Sequence, residues 1–249
     1  MVKHVVSDAA SLPTGELVVS EVSFSDELID VDTSLRKLAG LSQLTALHLN
    51  HAIRIDDANA AILANFKNVT YLHIVVNGLT AAGLANLEQL PKLQSLFLDM
   101  KGTSITDQEL SHLLALKRLN ELYLFTSDID EPTYRQLLAM PSLVTLVIFG
   151  GQLTDRVIAD VEKKTRITTL GFSYCALTND GIRSLAKLRH LKSLQLVGSV
   201  CSDDDLKQLA TLPHLAALAV RQTKVTAVGV AALKEARPNC NIDWDGPPN

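Results

Sequence analysis

Residues 93–113 read LQSLFLDMKGTSITDQELSHL. Leu96 and Leu98 share one side of an extended chain, while Ser95, Phe97 and Asp99 take the other. That period of two predicts a short strand with one buried face. Ile105 follows, then Thr106 and Asp107. A threonine there accepts a hydrogen bond from a free N–H of a helix's first turn, and a carboxylate suits the positive end of the helix dipole. Leu110, Leu113 and Leu114 then fall at i, i+3 and i+4, the spacing of a helical face. The stretch therefore predicts strand, turn and capped helix in succession.

The same unit returns along almost the whole chain. Its middle apolar residue is Val22, Leu47, Leu72, Leu96, Leu122, Leu146, Leu170, Leu194, Leu218 and Ile242, at separations of 24 to 26 residues. So regular a period is the signature of a stacked array. A second apolar column runs Ile55, Leu79, Ile105, Ile129, Leu153, Leu177, Cys201, Val225. Beside it runs a column of cap residues, Asp56, Thr80, Thr106, Asp130, Thr154, Thr178, Ser202 and Thr226. Pro91, Pro141 and Pro213 fall just past the expected helices, where a helix must stop. One unit cannot bury its apolar face alone, but neighbours stacked side by side can.

The pattern LxxLxL, a small residue, then [IL]-T-D-x-x-[LI]-x-x-L resembles the leucine-rich repeat superfamily, most clearly over Leu93–Leu113 and Ile167–Leu185. Within it the chain is most similar to the cysteine-containing class of F-box-associated repeats and their bacterial relatives. The signature cysteine column reads Ala52, Asn77, Thr103, Ser127, Gly151, Cys175, Ser199, Thr223, so only Cys175 keeps it. The resemblance implies an α/β fold: a right-handed solenoid, horseshoe or arc, with parallel strands on the concave face and helices on the convex face. It implies protein recognition and transfers no catalytic residue. The segment before the repeats is too short for an F-box, and no F-box is expected.

Three parts are expected: a cap segment over residues 1–16, the array over 17–238, and a capping strand and tail over 239–249, with Trp244 as a lid on the last repeat. The 249 residues are 47% apolar, ample for a core. Net charge is −4, so no large basic excess exists to neutralise a phosphate backbone, and a nucleic-acid partner is disfavoured. No apolar run is long enough to span a bilayer, and no signal peptide is recognised, so no membrane partner is expected. Cys175, Cys201 and Cys240 form no disulfide or metal spacing and fit a reducing, cytoplasmic compartment. No phosphate loop or nucleophile turn is present.

Function must then sit on the outward strand positions, numbered 3, 5, 7 and 8 when the pattern's leucines stand at 1, 4 and 6. Tyr71, Phe97, Tyr123, Phe125, Phe149 and Tyr174 occupy such positions, six of the chain's eleven Phe, Tyr and Trp residues. Aromatic residues, with Met and Arg, are what protein interfaces enrich. Met100 is placed beside them, and His48 and His73 share one column in adjacent strands. The expectation is a non-catalytic, cofactor-free module, a monomer in isolation, binding a protein or peptide through this aromatic strip. Two alternatives stay open. His48, His51 and His73, with Asp99, could hold a divalent metal for an enzymatic activity, or the array could be structural and self-associating.

Overall fold

In the computed structural model, residues 19–24, 30–76, 78–100, 102–127, 129–150, 153–161, 166–175 and 177–246 are described, without the side chains of residues 50–54, 160 and 161. The expected cap over 1–16 lies outside them. Ten parallel strands alternate with nine helices along the described residues, an α/β solenoid. The order is β1 (Glu21–Phe24), α1 (Val31–Leu38), β2 (Ala46–Ile55), α2 (Asp57–Leu63), β3 (Tyr71–Val76), α3 (Ala81–Leu87), β4 (Ser95–Asp99), α4 (Asp107–Ala115) and β5 (Glu121–Phe125). It continues with α5 (Glu131–Leu138), β6 (Thr145–Phe149), α6 (Asp155–Val161), β7 (Thr169–Ser173), α7 (Asn179–Leu185), β8 (Ser193–Gln195), α8 (Asp203–Leu209), β9 (Ala217–Ala219), α9 (Ala227–Ala236) and β10 (Asn241–Asp243).

The chain forms two compact units, and the boundary passes through β5. The first holds residues 1–101 and 105–122, the second 102–104 and 123–249. In the first unit the register sets Val22 beside Leu47, Leu47 beside Leu72, and Leu72 beside Leu96. In the second, Leu146, Leu170, Leu194, Leu218 and Ile242 form one column. The periodic leucines are therefore physical neighbours. The column members at positions 4 and 6, from Leu47 and Leu49 through Leu218 and Val220, are almost wholly buried. One more bond recurs at strand entries within each unit: the N–H at position 2 donates to the carbonyl at position 2 of the preceding repeat. Thr70 reaches Thr45 at 2.8 Å in the first unit, and Ala216 reaches Lys192 at 2.8 Å in the second.

The hydroxyl and carboxylate column does cap helices. Asp56 accepts from the Asn59 N–H at 2.9 Å, and Asp130 accepts from the Thr133 N–H at 2.9 Å. Thr80, Thr178 and Thr226 accept from the N–H two residues on. The acidic residue after the cap does more than complement a dipole. Asp57 accepts from both the N–H and the hydroxyl of Thr80, one repeat later, at 2.8 and 2.7 Å. Asp155 holds Thr178 in the same way, Asp203 holds Thr226, and Glu131 accepts from the Thr154 hydroxyl. Three of these carboxylates lie where a Cβ would stand at Gly83, Gly181 and Gly229. At the C-terminal end Trp244 is half-buried, and its Nε1 donates to the Val225 carbonyl at 3.2 Å.

Candidate functional site

In the first unit the outward positions bring four rings into a run. His48 and Tyr71 lie with centroids 4.6 Å apart, His48 and His73 at 6.4 Å, and His73 and Phe97 at 4.0 Å. All four side chains are half-buried. The ladder explains the run: His48 pairs with His73, which pairs with Phe97, so position 5 of three strands is contiguous. His48 Nε2 lies 3.2 Å from the Glu21 carboxylate in β1. At the far edge of the same unit the Ser95 hydroxyl donates to Glu121 at 2.9 Å.

In the second unit Phe125 and Phe149 are stacked, with centroids 3.9 Å apart and planes 11° apart. Tyr123 is half-buried on the same strand as Phe125. Tyr174 is 61% exposed and has a φ of 58°, a left-handed conformation uncommon for a side-chain-bearing residue. Its ring lies against Gly198, which has a φ of 67°, and its hydroxyl donates to the Gln222 side chain at 2.8 Å. Gly150, Tyr174, Gly198, Gln222 and Gly246 all have positive φ, so position 8 is where the chain turns after β6 to β10.

One expectation is corrected in the first unit. Met100, also at position 8, is 3% exposed and belongs to the core rather than to the accessible face. Strand alternation ends with β4 at Asp99, so it does not govern the residue after it. Asp99 is buried as well. Val75, Val76 and Val147 are also buried, although they stand at outward positions. For the first two, β2 runs on after a register shift, and its Arg54 and Ile55 backbones pair alongside them. For Val147, Gly171 offers no side chain, and the Val147 methyls lie over it.

Among the described residues no three His, Cys, Asp or Glu side chains are grouped to hold a metal. The His51 side chain lies outside the described set. The cysteines are held as thiols: burial, then the Asp205 and Asp203 carboxylates, push the Cys201 thiol up to about 12, and burial raises Cys175 and Cys240. A separate shallow groove of about 230 Å³ lies at the helix-to-strand turns of the first unit, lined by Glu88, Leu90, Pro91, Leu93 and 115–118. His112 Nδ1 lies 2.5 Å from Glu88 there. No helix among the described residues is long and apolar enough to cross a membrane.

No protein-family model and no curated protein matches the sequence. Solved structures do match. An internalin, InlF of Listeria monocytogenes, is 18% identical over 92% of this chain and 66% of its own, with a TM-score of 0.51. TLR13, in complex with ssRNA13, is 19% identical over 84% of this chain and 30% of its own, with a TM-score of 0.57. The chain thus spans just under two thirds of that internalin and less than a third of that TLR13. At this identity the likeness is one of fold, the leucine-rich repeat fold.

Proposed function

We propose that this chain is a non-catalytic recognition module that binds a protein or peptide on its strand-side face. The observation that carries the reading is the placement of the rings. A protein with 4% aromatic residues gathers His48, Tyr71, His73 and Phe97 on the outward face of one unit. It gathers Tyr123, Phe125, Phe149 and Tyr174 at outward positions of the other. Half-buried aromatic anchors with polar neighbours are what interface centres contain. The internalin and TLR13 likenesses support an interaction module in general. A single-stranded RNA, which the TLR13 structure contains, suits this chain poorly. Phosphate binding needs lysine or arginine, and among the described side chains of the first unit none stands at strand positions 3, 5 or 7. Free, buried cysteines fit a cytoplasmic setting, and Cys175 is the one residue that carries the cysteine-containing subclass. The test is capture of a partner from native lysate by the intact chain, repeated with Tyr123→Ala and with Phe125→Ala joined to Phe149→Ala. Loss on these variants supports the reading. Retention on both, with loss on a helix-side variant, rejects it.

A further inference from the structure

The strand-side face of the first unit carries a charge pattern that narrows the partner. Taking that face as a recognition surface, we infer that it docks a basic, arginine-bearing peptide segment. The described outward residues at positions 3, 5 and 7 of β1 to β4, with Glu121 at position 3 of β5, include the carboxylates Glu21, Asp99 and Glu121 and no lysine or arginine. The described side chains of this face are therefore of one sign; the Arg54 side chain, in β2 beside Val75, lies outside the described set. Asp99 is buried and out of a ligand's reach; Glu21, beside His48 Nε2, is exposed, and Glu121, which accepts from Ser95, is half-buried, so both remain reachable.

Between the two glutamates, on β2, β3 and β4, lie the rings of His48, Tyr71, His73 and Phe97. Rings and carboxylates together suit one chemical group best. A guanidinium is planar and stacks on aromatic faces while its edge forms paired bonds to a carboxylate. An acidic peptide or a phosphate would meet repulsion at both ends of the run, and a purely apolar segment would strand Glu21 and Glu121 without water. The second unit differs: from Tyr123 through Val197 its described residues at positions 3, 5 and 7 bear no charge, and its one cation there, Arg221, already pairs with Asp243 at 2.8 Å. The basic segment is therefore assigned to the first unit.

The experiment uses the whole chain and a fluorescein-labelled peptide of alternating arginine and serine, with glutamate–serine and glycine–serine peptides as comparisons, read by anisotropy. The arginine peptide binds at least about tenfold tighter than either. Glu21→Lys with Glu121→Lys weakens it by at least about tenfold, and the milder Glu21→Gln with Glu121→Gln by at least about threefold. A matched reversal on the helix side of the second unit, Asp204→Lys with Glu235→Lys, changes it less than about twofold. Equal losses from both reversals would mean that net charge alone attracts the peptide and would overturn the inference, as would equal affinity for the glycine peptide. If a lysate partner is lost on Phe125→Ala with Phe149→Ala but ignores the Glu21 and Glu121 changes, the recognition reading stands and this inference falls. If only helix-side variants abolish that partner, both fall.

Discussion

Leu146 is fully buried and pairs with Leu170 in its ladder. Leu146→Ala removes its transfer free energy and leaves a cavity, so it should cost about 2–5 kcal/mol in denaturant unfolding; a change under about 0.5 kcal/mol would take it out of the core. Ser173 shows the opposite case. It is 1% exposed, and its hydroxyl has no hydrogen-bond partner. A buried unmade hydrogen bond costs about 1–3 kcal/mol, so Ser173→Ala should leave stability unchanged or raise it by about 1 kcal/mol. A loss of that size instead would reveal a partner for the hydroxyl. Tyr174 marks the limit of reading residues from pattern. Alternation places positions 3 and 5 because they lie within a strand. It fails at position 8, past the strand: Tyr174, with positive φ, lies outward across Gly198, while Met100, just after the end of β4, goes into the core. The signal in the sequence was the column itself, in which glycine recurs at 150, 198 and 246.

At the scale of the helices, the cap column was legible because serine, threonine and aspartate have few other reasons to recur before an apolar helical stripe. The bond from one repeat to the next was not, because it joins residues 23 apart and is signalled only by a glycine in the next helix's first turn. Gly229 is such a residue. Alanine is normally favoured over glycine in a helix by about 0.8–1.0 kcal/mol. Here its methyl would collide with the Asp203 carboxylate that holds Thr226. Gly229→Ala should therefore destabilise by about 1–3 kcal/mol. Combined with Asp203→Ala, it should be at least about 0.5 kcal/mol more stable than the two single losses predict. Simple additivity would separate the two sites. The caps also set an acid limb. The Thr133 hydroxyl, then its N–H, hold the Asp130 carboxyl below its ordinary 3.8. A group lowered in the folded state stabilises above its unfolded value and loses that contribution as pH falls through the folded one. Asp130→Asn keeps a capping oxygen but no charge. It should match the parent near neutrality and fall less steeply below pH about 3.8, the unfolded value; an unchanged acid limb would remove Asp130 from it.

Over the whole molecule, one period specifies two surfaces with different duties, and this is why the fold was more legible than the site. Burial needs only that leucines recur, and recurrence is visible in one sequence. Recognition depends on which outward residues stay accessible, and that is decided by neighbours such as Gly171, whose missing side chain lets Val147 be covered. Tyr123 tests the division. It stands one residue from Leu122 and Leu124, both fully buried, yet is itself half-buried on the outward side. If outward rings are anchors, Tyr123→Ala should weaken partner binding by roughly 1–3 kcal/mol while costing clearly less stability than Leu146→Ala. Lys234→Ala, on the exposed side of α9, should alter either quantity by less than about 0.5 kcal/mol. It is a cleaner control than Arg135→Ala, because Arg135 reaches Glu131, which itself holds Thr154. Affinity for a lysate partner and the unfolding midpoint, measured on the same three variants, decide the matter. A stability loss for Tyr123→Ala equal to that of Leu146→Ala would make the ring part of the core. Unchanged affinity, with binding abolished by a helix-side change, would move recognition to the helices.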